Sequence, residues 1–305
     1  MGRVEDFEDL RPYLRAIAYR ILGTVSDAED AVQEAWLRYQ DTPVQPDSPK
    51  AFLATVITRI SINELRSARA RREHYVGTWL PEPLLEDPYQ DPERAAELAE
   101  SASMAALLLL ERLSPLERAV FVLREVFDFS FTEVSSIVER SEAACRQLAV
   151  RARRHMRTDR RRFIAGEHEH QRLAERFIAA LTAGDLEDLR RLLAADAQMT
   201  ADGGGKAPSL PRGVSGADNM ARLMVAVWPR LAGIGVSMEP RQVNAHPGIL
   251  VRDPAGKVLA VLALEIGNGQ IHLIRSVINP DKLAHLGPVA DAWSLQEAYR
   301  RRGRA

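Results

Sequence analysis

The chain has 305 residues, with 41 lysines and arginines against 42 acids, a formal net charge of −1, 46% hydrophobic residues and one cysteine. That length suits two or three domains with cores of their own. The single Cys145 excludes an internal disulfide and a cysteine-built zinc site and suits a reducing compartment. The opening MGRVEDFEDL lacks the apolar stretch of an export signal, and apolar runs such as Met104 to Leu110 fall far short of the ~20 residues of a bilayer span, so a cytoplasmic address without a membrane role is expected.

The near-neutral total hides a segregated charge. Eight arginines lie between Arg146 and Arg162 and four between Arg66 and Arg72, whereas Glu82 to Glu100 holds seven acids against one arginine. Two basic modules therefore flank an acidic connector, a distribution that suits nucleic acid where the net charge does not.

Leu10, Leu14, Ile17, Ala18 and Ile21 recur at helical spacing and predict a helix from Phe7 to Gly23. Ser26 and Glu29 have capping-box spacing, so a second helix is expected to open at Ser26. It would bury Ala28, Val32, Ala35, Trp36 and Tyr39 and turn Asp27, Asp30, Gln33 and Glu34 outward as an acidic patch. Three prolines make DTPVQPDSPK a loop. Phe52 to Leu65 then resumes the helical period through Leu53, Val56, Ile57 and Ile60, and runs into the basic LRSARARRE. A basic helix end beside a rigid loop suits holding a nucleic-acid backbone while an unstacked base is captured. In residues 74–104, Pro81, Pro83, Pro88 and Pro92 predict an extended first part with helix only from about Pro92 onward.

Residues 130–162 read as two short helices about a tight turn. Ser130 and Glu133 form a capping box for the first, whose Phe131, Val134, Ile137 and Val138 share a face. Beyond Glu139 and Arg140, Ser141 caps a second helix with an apolar stripe of Cys145, Leu148, Ala149, Ala152 and Met156. Its other side shows Arg146, Gln147, Arg154 and Arg157. Guanidinium groups match guanine edges bidentately and an amide matches adenine, so this is the pattern of a helix-turn-helix whose early positions read bases and later arginines hold phosphates.

Three stretches, SDAEDAVQEAWLRY, KAFLATVITRISINELRSARARRE and LSPLERAVFVLREVFDFSFTEVSSIVERSEAACRQLAVRARRHM, together resemble the extracytoplasmic-function group of bacterial RNA polymerase sigma factors, in matching order over residues 5–160. The resemblance implies two all-α sigma domains. Residues 1–73 would capture the promoter −10 element and bind core polymerase, and residues 105–165 would read the −35 element. It places Asp27, Asp30, Gln33 and Glu34 on the clamp helices of the large polymerase subunits. Gln45, Asp47 and Lys50, with Asn63, Arg66 and Arg69, fall at the −10 region, and Glu142, Ala144, Arg146, Gln147, Arg151 and Arg154 at the −35 region. It also implies that the acidic linker threads through the polymerase, where its carboxylates would occupy a basic channel. Leu148 stands where many relatives carry another arginine, and Ala144 where a small polar residue is common, so the promoter sequence does not transfer from relatives.

More than 130 residues follow Arg162. Leu173, Phe177, Ile178, Leu181, Leu186, Leu189, Leu192 and Leu193 predict helices over 169–195, and GADNMARLMVAVW predicts another. Strands are expected at Val236 to Val243, Gly248 to Arg252, and Lys257 to Ile266, the last turning through GNGQ into Ile271 to Ile278. This α+β pattern over 168–286 resembles the SnoaL-like branch of the nuclear-transport-factor-2 (NTF2) superfamily, a cone with an internal pocket able to take an unidentified small ligand. Three signatures resemble the sigma subgroup that carries such a domain: TWLPEPL (with Trp79, Leu80, Pro81, Glu82 and Pro83), DGGGK (Asp202, Gly203, Gly204, Gly205 and Lys206) and NPDKL (Asn279, Pro280, Asp281, Lys282 and Leu283). The resemblance implies an interdomain latch that regulates the sigma domains in cis, with no separate anti-sigma protein required.

Other classes remain open at this level. A stand-alone ligand-responsive DNA-binding regulator would share the helix-turn-helix, and an enzyme of the SnoaL type could use Asp202, Glu265 or His272 as acid or base. No second catalytic partner stands out by spacing, so no catalytic residue is assigned. His168 and His170 sit at i, i+2 on no common helix face, so no metal site is expected, and no cofactor is assigned. Residues 287–305, ending AYRRRGRA, read as a basic tail for which disorder is at least as well suited as contact with polymerase or DNA.

Overall fold

A computed structural model describes residues 2–87, 89, 95–157, 167–209 and 213–302. The chain divides into two compact units, one of Met1–His74 with Asp87–Arg160 and one of Tyr75–Glu86 with Arg161–Ala305. The connector is thus shared, its first part belonging with the C-terminal residues.

In the first unit, α1 (Arg3–Leu22), α2 (Val25–Gln40) and α3 (Pro49–Arg72) pack on one another around Phe7, Leu14, Ile17, Val32, Tyr39, Leu53 and Ile57. Gly23 ends α1 in the left-handed region, at φ 80°, and donates its N–H to the Tyr19 carbonyl. That sharp ending starts α2 one residue before the expected Ser26. Thr24 precedes the first turn and its hydroxyl donates to the Asp27 carboxylate at 2.5 Å, while Glu29 is drawn to Arg15 at 2.8 Å. Ser26 is an exposed residue inside the helix, and the capping box expected there is absent.

The same unit continues through α4 (Ala95–Ala102), α5 (Met104–Leu110), α6 (Pro115–Phe121), a π turn over Val122–Val126, α7 (Phe131–Val138) and α8 (Glu142–Arg157). Capping boxes at Ser114 with Glu117 and Ser130 with Glu133 start α6 and α7, and Glu139 at φ 54° turns the chain into α8. Buried cations tie these helices to the first three. Arg20, fully buried, donates to Asp87 at 2.9 Å, Ser101 at 2.8 Å and the Leu98 carbonyl at 2.9 Å. Glu111 pairs with both Arg72 and the fully buried Arg118, which also donates to the Arg20 carbonyl at 3.0 Å. Burial would raise the Glu111 carboxyl, yet Arg118 and Arg72 beside it hold it below the usual range. Arg59 of α3 caps the end of α7, donating to the carbonyls of Ile137 at 2.9 Å and Ser136 at 3.0 Å and pairing with Glu139 at 3.1 Å.

The second unit opens, beyond Tyr75–Glu86, with α9 (Glu167–Ala183) and α10 (Leu186–Leu192), then β1 (Leu193–Asp202), β2 (Val214–Ser215), α11 (Ala217–Gly233), β3 (Ser237–Val243), β4 (His246–Arg252), β5 (Val258–Gly267) and β6 (Gln270–Val277). The sheet order is β2-β1-β6-β5-β4-β3, parallel only between β1 and β6. Phe177, Leu189, Trp228, Ile249, Leu264 and Ile274 join helices and sheet in one core. The expected β5–β6 hairpin forms, with Asn268 at φ 52° and Gly269 at φ 72° in the turn. Strands β1 and β2 were not expected, and residues 193–195, read as helix, begin β1. Their alanines favour helix, and pairing with β6 overrides that preference. The last elements are α12 (Pro280–Leu283), a 3-10 turn at Ala284–Leu286 and α13 (Ala292–Arg302). Much of the basic tail is therefore helical, and Trp293 donates its indole N–H to the Lys206 carbonyl at 2.9 Å. Among the described residues no helix is long and apolar enough to cross a membrane.

Candidate functional site

Helix α8 presents the densest functional surface. Cys145, Leu148, Ala149, Ala152 and Met156 are buried against α6 and α7, which fixes the orientation of the remaining residues. Arg146, Gln147, Arg151 and Arg154 are exposed, with Glu142 and Ala144 half-buried. Glu142 accepts from Thr132 at 2.7 Å and from Arg146 at 2.7 Å, contacts that hold its carboxyl below the usual range. Arg146 also lies 5.1 Å from the centre of the Phe131 ring, so its guanidinium is positioned before any ligand arrives. Arg151 pairs with Glu117 at 3.2 Å. Leu148 belongs to the core and not to the basic face. Burial raises the Cys145 thiol and keeps it protonated.

On α2, Asp30 and Gln33 are exposed and Asp27 and Glu34 half-buried along one side, Glu34 pairing with Arg38 at 2.8 Å. The residues assigned to the −10 region lie in two places along α3. Gln45 donates to Asp6 at 3.1 Å and Lys50 stands 4.8 Å from the centre of the Tyr13 ring, near the start of α3. Asn63 and Arg66, bonded to each other at 3.3 Å, are about 20 Å further along the helix by its rise per residue. Asp47 is exposed in the preceding loop. The Arg69 side chain lies outside the described residues.

Within the second unit the three signatures converge on Asp202. This carboxylate ends β1 fully buried, and accepts the Tyr75 hydroxyl at 2.5 Å, the Leu80 amide at 2.8 Å and the Lys282 ammonium at 2.6 Å. Lys282, itself buried, also donates to the Leu80 carbonyl and sits 4.3 Å from the centre of the Trp79 ring. Asn279 caps α12, accepting from the Asp281 amide at 3.1 Å and donating to Tyr75 at 2.8 Å. The glycines follow from this crowding. Gly204 has φ 56°, and a Cβ there would stand 2.3 Å from the Asn279 amide and 2.8 Å from the Tyr75 hydroxyl. Lys206 reaches Asp281 at 2.5 Å. Leu80, Pro81, Glu82, Pro83 and Leu84 are buried, which an extended acidic spacer did not suggest. Their far end is held by Asn244, which exchanges hydrogen bonds with Leu84 at 2.6 and 3.1 Å, and by His285, whose Nε2 meets the Pro83 carbonyl at 2.8 Å.

Sequence reasoning missed Tyr75, Asn244 and His285. Only the polar character of Asn244 beside a strand end hinted at a turn, and no spacing links it to Leu84. Of the possible acid-base residues, Glu265 is paired with Arg275, and His272 sits five residues along β6 from Val277, the register partner of Asp202, about 17 Å away. The structure does not gather these three into one site.

The helical elements match two family models: Sigma-70 region 2 over residues 7–71 and Sigma-70, region 4 over residues 103–156. They define a transcription-initiation sigma factor. The chain belongs to the extracytoplasmic-function (ECF) family of RNA polymerase sigma factors: it is 39% identical to ECF RNA polymerase sigma factor SigJ of Mycobacterium tuberculosis, over 92% of each chain. It is 31% identical to the probable ECF sigma factor SigI of the same species, over 90% of this chain and 92% of that one. The crystal structure of the M. tuberculosis SigJ protein superposes with a TM-score of 0.71 at 36% identity, covering 92% of this chain and 98% of that one. The second unit is helices packed on a six-stranded sheet, the α+β arrangement expected for it.

Proposed function

We propose that this sigma factor binds core RNA polymerase through the α2 face of Asp27, Asp30, Gln33 and Glu34 and directs initiation at its own promoters, under control in cis by the C-terminal domain. Residues 1–73 engage the −10 element with the loop of Gln45, Asp47 and Lys50 and with Asn63, Arg66 and Arg69. Residues 105–165 read the −35 element with α8. The buried Asp202 hub carries the proposal for cis control, because it fastens Tyr75–Glu86, the segment leaving the first sigma region, to the C-terminal domain.

Promoter geometry supplies the mechanism. Elements centred about 25 base pairs apart lie roughly 85 Å apart along a duplex. A compact body of about 150 residues, the size of the first unit, is roughly 40 Å across. The two sigma regions therefore separate to read both elements, breaking the Arg59 cap on α7 and the Arg72–Glu111–Arg118 cluster. The connector supplies the reach, and a connector fastened through Asp202, Asn244 and His285 is not free to supply it. Intramolecular fastening thus takes the place of a separate anti-sigma protein, and a small ligand of the C-terminal domain would act by shifting it. The test is transcription by core polymerase with the full chain, a truncation ending at Gly166 and another ending at Leu286. Greater activity of the shortest form supports inhibition in cis, and lower activity would make the C-terminal domain part of the working machine.

A further inference from the structure

On α8, Val150 stands in the middle of the outward face, one turn beyond Arg146 and Gln147 and one turn before Arg154, and it is 60% exposed. Arg146, Gln147, Val150 and Arg151 line a single open depression. Neither the core nor the helix asks for valine here. The core stripe lies on the opposite side, and a β-branched residue is a poorer helix former than the alanine or lysine that would serve on a solvated face. Its isopropyl group has no donor or acceptor to offer among the guanidinium groups around it. Those cations select an anionic occupant, and the duplex that they fit presents one apolar group in its major groove, the thymine 5-methyl.

We propose that Val150 is a specificity-determining residue that packs on a thymine methyl of the upstream promoter element, flanked by the contacts of Arg146 and Gln147. The inference rests on the reading of α8 as the −35 reader. It adds an apolar contact in the middle of the exposed arginines and glutamine assigned there.

The test uses holoenzyme made from the full chain and a promoter located by its own initiation, with each thymine of the upstream element replaced in turn by deoxyuridine, which lacks only the methyl. One replacement is expected to weaken wild-type holoenzyme binding about four-fold, the worth of one buried methyl. Val150→Ala is expected to lose a similar factor on the thymine promoter and to be indifferent to that same replacement. Alanine favours helix, so the variant folds. Equal deoxyuridine sensitivity in both proteins overturns the assignment, as does an upstream element with no thymine on either strand. A loss in Val150→Ala that is uniform across all templates overturns it too, and points to a polymerase surface as the occupant. Should the wild-type protein fail to initiate at all, the promoter reading fails by itself, and the same comparison on duplexes selected by the free chain still decides the role of Val150.

Discussion

Replacing Asp202 by alanine removes the carboxylate that holds three donors, two from the Tyr75–Glu86 segment and one from α12. The Lys282 ammonium, 5% exposed, is left without the charge 2.6 Å away that offsets its desolvation, and the Tyr75 hydroxyl and Leu80 amide lose their acceptor. Breaking a buried ion pair from one side costs about 3–5 kcal/mol, a large share of the 5–15 kcal/mol that typically stabilises a domain. The Leu80 carbonyl and the Trp79 ring remain to Lys282, which places the expected loss near the lower end, about 3 kcal/mol. Urea denaturation of the full chain measures the loss, and hydrogen exchange localises it. The Leu80 amide and the amides of Leu84 and Asn244 should lose protection first, by about a hundred-fold if the fastening opens as one unit. Unchanged exchange at Leu80 and Leu84 in Asp202→Ala would refute the view that one carboxylate holds the segment.

Glu111→Gln should destabilise the first unit by about 3 kcal/mol, measured as a shift in its urea midpoint, because the buried Arg118 then loses the charge of Glu111. Glu111 is held below its ordinary value of 4.5, so its contribution is complete above that pH and declines as pH falls through the depressed folded value. The stability gap between wild type and Glu111→Gln should therefore shrink on acidification below about pH 4.5, as followed by denaturation at several pH values. Arg146→Ala should cost about 1–3 kcal/mol at one base-pair position of the −35 element, scored by binding to single-substitution duplexes, whereas a uniform loss would make Arg146 a phosphate contact. Arg59→Ala should raise the hydrogen exchange of the α7 C-terminal turn several-fold and leave the α9 helix of the other unit unchanged.

Much of the helical half was legible because its signals are local. Ser130 with Glu133 caps α7, Ser141 opens α8, and the stripe of Cys145, Leu148, Ala149, Ala152 and Met156 is buried as the period requires. Thr24 with Asp27 and Ser26 with Glu29 share one spacing, and only the abrupt ending of α1 at Gly23 and the demand of Arg15 for Glu29 choose between them. Strand β1 was hidden because LAADAQMTAD is alanine-rich and acquires its conformation from β6, seventy and more residues away in sequence. The Asp202 hub was half visible: its signatures stood out by resemblance, whereas Tyr75, Asn244 and His285 meet partners that no local pattern relates to them.

The most direct measurement is run-off transcription by core RNA polymerase with and without the full chain on a duplex carrying its promoter, with Asp202→Ala alongside. The account predicts a transcript from one defined start that requires the chain, and more of it from Asp202→Ala at limiting polymerase. No transcript from either protein, together with failure of the chain to bind core polymerase, would contradict it.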